Sequence, residues 1–304
     1  MNNYKDIKIY YPYDSFLKMP LEAQWYGYIL QGFKDLGCHI CFTEENTKKS
    51  KYGLNNTITN FDIVFSGNIK ATVWYDWSDY KEGFHHEYMS PKDVYFKIQF
   101  HKYFKKLKNV YPIGQTVTKM EFFSELPRLR KIAQSANKKW DVVAVFRATN
   151  TDSRLKFIRA LKKTEYKTLA GLTERNGNVS DTTILMEKID YNEHLLQQAQ
   201  SHISAAMYGV GGDWVWRHME ILGMGVCLLT LESDYVLPGN PQNCWITVKR
   251  DFSDLDKKLE VFLNDQTLRN KVAAAGLKYF EEYLSPKAQA KYIIEKVLES
   301  RGVK

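Results

Sequence analysis

Several features are scarce or missing in this 304-residue chain, and each absence narrows what it can be. No apolar run approaches the roughly 20 residues that a bilayer-spanning helix needs, so no transmembrane segment is expected. The start, MNNYKDIKIYYPYD, runs into a strand-like segment without the apolar stretch of a signal peptide. The expected location is the cytoplasm, with at most peripheral contact to a membrane surface. Cysteine is sparse: Cys38, Cys41, Cys227 and Cys244 are all there are. Cys38 and Cys41 form a C-x-x-C, but no second pair stands at zinc-ligand spacing. Residues three apart on a strand point to opposite faces, so the four read as buried thiols and no metal site is expected. Internal repeats and low-complexity tracts are also missing.

What is present describes a folded protein with more than one core. Hydrophobic residues make up 44% and charged residues 26%, which excludes a disordered chain. The length suits two domains of about 150 residues each. The net charge of +8 is concentrated: residues 92–139 hold twelve Lys/Arg against three acids, a local excess of +9. Such a run is either a solvated face or a surface for a polyanion such as DNA, anionic lipid or an acidic glycan.

The periodicity alternates between strands and helices. IKIYYPY (7–13) reads as a first strand, and 21–37 as a helix with Leu21, Trp25, Ile29, Phe33 and Leu36 on one face and Gly37 ending it. HICFT follows as a strand, FDIVFSG as a buried run of the parallel-sheet kind, then ATVWYDW and DVYFKIQF. Residues 114–139 read as a connection containing Pro127 and a basic helical patch. WDVVAVFRA restarts the alternation, with further strands in YKTLAGL, HISAAMYG, VCLLT and CWITVK, and SRLKFIRALKK and NEHLLQQAQ as helices between them. From Ser253 onward the pattern is helical. The fold class expected is α/β, with two Rossmann-like domains facing a cleft and a helical C-terminal tail. The boundaries are 1–125, 126–285 and 286–304, the last a helix returning towards the first domain.

In open α/β sheets ligands bind beyond the carboxyl ends of the strands. Arg147 follows the strand WDVVAVF, and Arg154 opens the next helix in TDSRLKF, with Thr151, Asp152 and Ser153 as caps; this pattern suits an anion. The run GVGGDWVWRHMEILGMGVCLLT (209–230) follows HISAAMYG in the same way. Gly209, Gly211 and Gly212 permit close backbone approach, and Asp213 is placed to cap a helix starting near Trp214. Arg217 and Glu220, three apart, share a face near the helix start. A carboxylate there suits the vicinal hydroxyls of a ribose and the guanidinium suits a phosphate; the plainer reading is an intrahelical ion pair.

This run, followed by SDLDKKLEVFLNDQTLRNKVAAAGLKYFEEYLS, resembles the C-terminal half of GT-B glycosyltransferases of the group 1 and exostosin-like kind over residues 140–290. The likeness is carried by the helix with Glu in E-I-L-G-M-G, the D-x-x-x-R turn (Asp265, Arg269) and the long helix reaching Tyr283. It implies that Glu220 contacts the ribose of a nucleotide-sugar donor, UDP-linked, while Arg147, Arg154 and Arg217 neutralise its diphosphate, with Gly212, Asp213 and Trp214 in the binding loop. Where the family carries an E-x7-E pair, the first acid is replaced by Gly212, which points away from a retaining mechanism.

The resemblance implies transfer to a hydroxyl acceptor, inverting and without a metal, since arginines and a helix N-terminus can stabilise the leaving diphosphate. DWSD (76–79) lacks D-x-D spacing. Beyond the donor, no cofactor is implied. An inverting enzyme needs a general base from the N-terminal half: Asp79 first, then Asp14, with Asp76, His85, His86 and Glu87 nearby. Trp74, Trp77 and Tyr80 offer rings for stacking. The acceptor expected is a glycan or glycolipid. The basic segment also admits a hydroxylated base in DNA, or a non-catalytic nucleic-acid or membrane-surface binder on the same scaffold. A sugar-nucleotide epimerase would need acids on both sides of the sugar, which Gly212 disfavours.

Overall fold

A computed structural model of the chain describes residues 4–12, 20–43, 58–66, 69–78, 89–148, 152–173, 182–209 and 212–303; for 20–26 and 182 only the backbone is described. It divides into two compact units. Unit 1 comprises Met1–Met120, Asp234–Asn240 and Glu282–Lys304; unit 2 comprises Glu121–Ser233 and Pro241–Glu281. Each is an α/β body built on its own six-stranded sheet, so the chain is α/β with two Rossmann-like units.

Unit 1 has strands β1 (Lys8–Pro12), β2 (His39–Thr43), β3 (Ile58–Val64), β4 (Lys70–Asp76), β5 (Val94–Lys97) and β6 (Val110–Pro112) in the order β2-β1-β3-β4-β5-β6. Helix α1 (Pro20–Leu36) follows β1. Phe33 meets Phe61 of β3 edge-on at 5.7 Å. On the other side of the sheet, Ile58, Trp74, Tyr95, Phe100 and Val110 form a second apolar cluster.

Residues 61–64 of the run FDIVFSG end β3, which pairs antiparallel with both β1 and β4, against the parallel pairing expected from its apolar character. The reason is the connection. Phe65 N–H donates to Ile69 C=O at 2.9 Å, closing a short turn into β4, whereas a parallel crossover needs a dozen residues or more.

Unit 2 has β7 (Trp140–Arg147), β8 (Thr168–Thr173), β9 (Leu185–Met186), β10 (Ser201–Ala205), β11 (Cys227–Leu231) and β12 (Ile246–Val248). All pairings are parallel, in the order β12-β11-β10-β7-β8-β9. Counted from β7, this is the 3-2-1-4-5-6 order of a dinucleotide-binding sheet, with its switch point between β7 and β10. Val142, Ala144 and Phe146 pack with Phe157, Ile158 and Leu161 of α3 (Asp152–Leu161) on one face.

The boundary expected after residue 125 falls inside α2 (Phe122–Ala133), which lies whole in unit 2. Phe122 packs against Gly223, where a Cβ would stand 3.1 Å from its ring. The helical tail is divided. Helices α6 (Leu255–Asn264) and α7 (Gln266–Tyr279) stay in unit 2, while α8 (Pro286–Ser300) lies in unit 1 against α1. Ser285 caps α8 by accepting from Ala288 N–H, with Pro286 at the first helical position.

Helix α4 (Tyr191–Ala199) precedes β10, and α5 (Trp216–Met224) follows it. Helix α5 is tethered by His218, whose Nδ1 lies 3.1 Å from Val215 N and whose Nε2 lies 2.9 Å from Thr230 Oγ1 on β11. Gly225, in the left-handed region at φ 75°, ends the helix before β11.

Two expectations follow. A Cβ on Gly32 of α1 would lie 1.9 Å from the Pro286 carbonyl oxygen, so Gly32→Ala must push α1 off α8 and should lower unfolding stability by about 3 kcal/mol in urea titration. Burial presses the His218 imidazole down to about 3. Because the folded value lies below the ordinary one, this stabilisation is complete above about pH 6.5 and is lost as pH falls towards 3. Thermal unfolding between pH 6.5 and 4 should therefore show a slope that His218→Gln reduces.

Candidate anion and nucleotide site

The site grows from the carboxyl end of β7. Near-continuous apolar residues make WDVVAVF a buried central strand, and Arg147 stands exposed at its end. Arg154, in the first turn of α3, turns back onto this strand end. Its Nη1 donates to Arg147 C=O at 3.0 Å and its Nε to Tyr208 C=O, just past β10, at 2.9 Å. Arg217, in the first turn of α5, donates Nη1 to Val145 C=O at 2.6 Å. Both guanidinium groups lie over the Phe146 ring, at 5.7 and 5.5 Å from its centroid. Burial, and then the neighbouring Arg217, pushes Arg154 down to about 10. Arg217 is lowered by burial first, with Glu220 acting in the opposite sense and Arg147 in the same. Arg147, Arg154 and Arg217 thus converge at one strand end.

Glu220, buried, accepts from Tyr191 Oη at 2.8 Å. Arg217 directs Nη1 at the Val145 carbonyl rather than at Glu220, so the pair is not a simple intrahelical ion pair. The carboxylate is instead fixed from α4, whose own start is capped by Asp190 accepting from Asn192 and Glu193 N–H.

The loop before α5 differs from expectation. Helix α5 begins at Trp216, two residues later than read, with Val215 as its N-cap, and Asp213 does not cap it. Asp213 accepts from Ser233 Oγ at 2.8 Å, because the helix start is already served by His218 from within. Trp214 is buried between the His218 ring at 4.3 Å and Trp245 at 5.0 Å. Gly209 N–H donates to Gly212 C=O at 2.8 Å, and a Cβ on Gly209 would lie 2.9 Å from the Val215 side chain. Here glycine serves close packing of the turn.

In unit 1, Asp79, Asp14 and His86 lie outside the described residues, as do His85, Glu87 and Tyr80. Asp76 is described, and it is no free base. Its Oδ2 receives Lys97 Nζ at 2.9 Å and Tyr95 Oη at 2.6 Å, its Oδ1 receives Ser78 N–H at 2.8 Å, and both charged side chains are fully buried. Lys97 also donates to Ser78 Oγ at 2.9 Å. Trp74 is fully buried with Nε1 on Asp93, and Trp77 is buried, so neither presents a stacking face. Lys97 and Tyr95 were missed from sequence; a lysine inside the apolar run DVYFKIQF was the signal available.

The basic segment 92–139 is divided between the two units. Lys97 is in the core. Arg130 pairs with Glu281 at 2.9 Å, and Lys138 donates to the Ile132, Ala133 and Ala199 carbonyls. Lys102 pairs with Asp234, while Lys105, Lys106 and Lys108 stay exposed beside Tyr103, itself 73% exposed. Among the described residues, no helix is long and apolar enough to cross a membrane. Cys41 is partly exposed, unlike the buried Cys38, Cys227 and Cys244.

No protein-family pattern and no curated protein matches the chain. Solved structures do match. A glycosyltransferase from Rickettsia africae is 11% identical, with a TM-score of 0.47 over 91% of this chain and 74% of that one. Anabaena HepE in complex with UDP-glucose is 12% identical, with a TM-score of 0.45 over 64% of this chain and 58% of that one. WaaG, a glycosyltransferase involved in lipopolysaccharide biosynthesis, is 14% identical, with a TM-score of 0.40 over 66% of this chain and 62% of that one. The chain thus spans less than two thirds of the length of HepE and of WaaG.

Proposed function

We propose that the chain is a GT-B glycosyltransferase moving a sugar from a nucleotide diphosphate donor, UDP-linked, to a hydroxyl acceptor with inversion. The observation that carries this reading is the placing of Arg217 and Glu220 together in the first turns of α5, at the switch point of a 3-2-1-4-5-6 sheet. There Arg154 of α3 and Arg217 of α5 lie on carbonyls at the end of β7, and Glu220, one turn from Arg217, accepts from Tyr191. The carboxylate suits hydrogen bonds from the two ribose hydroxyls, and the guanidinium edges suit the diphosphate. In the transfer step the acceptor oxygen bonds to the anomeric carbon as the bond to the diphosphate breaks. The acceptor proton goes to a base and the leaving charge goes to the arginines, without a metal. For the base, Asp79, Asp14 and His86 keep the standing that their sequence positions give them, and Asp76 is withdrawn.

The acceptor we favour is a glycan or glycolipid, met in the cytoplasm or at a membrane surface. The exposed Lys105, Lys106 and Lys108 beside Tyr103 favour a second reading, an acceptor base in DNA.

Titration calorimetry with UDP tests the donor site. Glu220→Gln keeps an acceptor for Tyr191 but removes a charge-assisted bond to the ribose, and should weaken UDP by about 10- to 100-fold; undiminished binding would refute the site. For the acceptor, duplex DNA binding through the three lysines should fall with log salt at a slope of about −3. A flat salt response excludes DNA.

A further inference from the structure

A second group of cations lies at the other end of the unit 2 sheet. It lines a cleft of about 300 Å³ between the carboxyl end of α2, the start of β10, the carboxyl end of α5 and one side of α7. Arg269, Ala273 and Leu277 recur every four residues, so a single face of α7 forms one wall. Lys138, just past α2, and His202 of β10 line the cleft with Arg269. Among the described residues, no acid lines it. The place is distinct from the converging arginines. Lys138 precedes β7 and Arg147 ends it, and a strand of eight residues is about 23 Å long.

Helix capping explains part of this group. Lys138 gives its three N–H groups to the Ile132, Ala133 and Ala199 carbonyls, which close α2 and α4. Arg269 gives Nη1 to the Phe262 and Leu263 carbonyls at the end of α6. Its Nε and Nη2 have no hydrogen-bond partner among the described residues, although the residue is only 6% exposed. The half-buried His202 ring has none either. The acids that act on Arg269 are committed elsewhere: Asp265 accepts from Leu268 N–H, and Asp141 from Lys167 N–H. Burial, and then Arg269, brings Lys138 down to about 8. Burial first, then Arg269 and Lys138, lower the His202 imidazole, with Asp141 acting the other way. Each cation thus disfavours charge on its neighbours, and an anion between them relieves this.

We propose that this cleft binds a small phosphate monoester, with its phosphate on Arg269 Nε and Nη2 and on His202, and its apolar body along Ala273 and Leu277. Two neighbouring positive charges, Lys138 and Arg269, match a dianion better than a single carboxylate. The free edge of a guanidinium meets two phosphate oxygens at once, and a neutral imidazole donates to a third. Lys138 supplies charge and no free N–H. The cleft is larger than a bare phosphate ion needs, and its apolar wall gives the rest of an ester a surface to cover. The proposal is independent of the donor reading, since it uses none of the residues at the carboxyl end of β7.

The full chain is titrated with phenyl phosphate and with inorganic phosphate by calorimetry at neutral pH and constant ionic strength, and the titrations are repeated by backbone amide NMR. Phenyl phosphate should bind several-fold tighter than inorganic phosphate and shift the amides of Ala133, Gly225 and Asn270. Ala274 is an exposed residue of the cleft wall that takes part in no cap. Ala274→Glu sets a carboxylate in the cleft, keeps the fold and should abolish binding, and His202→Leu should weaken it about 10-fold. Absence of phenyl phosphate binding, or binding unchanged in Ala274→Glu, overturns the proposal. Amide shifts at Arg147 and Arg154 in place of the cleft overturn it too, and equal affinity for the two probes overturns the ester. None of these outcomes bears on whether the chain binds UDP.

Discussion

Two arginine side chains laid on backbone carbonyls at the end of β7 are the arrangement on which unit 2 depends. Strand ends leave carbonyl groups with no ladder partner, and buried ones need donors. Arg154 and Arg217 supply them, one from the first turn of the helix after β7 and one from the first turn of the helix after β10. In doing so they hold the two crossovers to the same strand end. The geometry also brings two cations over one aromatic ring, where Arg217 lowers the proton affinity of Arg154. A structure that needs both guanidinium groups for its carbonyls has at the same time concentrated positive charge where helix N-termini open. The proposed anion site and the strand-end brace are built from the same two side chains.

Unit 1 uses charge differently. Lys97 and Asp76 meet in the core at the carboxyl ends of β5 and β4, with Tyr95 and Ser78 filling the remaining bonding positions. Removing either charge alone leaves the other buried and uncompensated, which typically costs about 3–5 kcal/mol. The pair therefore fixes how the chain leaves β4 at Ser78, just before the segment that carries Asp79. A carboxylate so fully bonded has no capacity to take an acceptor proton. What it contributes is rigidity at the strand end.

Much of this was legible in the sequence, and the failures have physical causes. Element types in unit 2 followed directly from periodicity, because parallel central strands are apolar throughout and their crossover helices are amphipathic. The direction of β3 was not legible: FDIVFSG is as apolar as a parallel strand, and only the short turn to β4 reverses it. Arg147, Arg154, Arg217 and Glu220 were identified from position after strands, which needs no knowledge of side-chain partners. Their partners were not. Asp213 looks like a helix cap in sequence, since the competing acceptor, the ring of His218, lies inside the helix. The basic segment misled for a related reason, as counting charges cannot show which are spent on carbonyls, carboxylates or the core.

The difference between the two sheets explains why the converging arginines fall to unit 2. In unit 2 the strand order reverses between β7 and β10, and helices leave both strands at the same edge, so two N-termini face one crevice. Arg154 and Arg217 occupy the first turns of those two helices, and Tyr191 begins a third that reaches Glu220. In unit 1, β1 is followed by α1, but its neighbour β3 runs the other way and turns directly into β4. No helix leaves β3, so the dipoles that would pair across the β1–β3 edge are not there. A single reversed strand thus separates a unit that gathers arginines at one strand end from one that holds its charges inside.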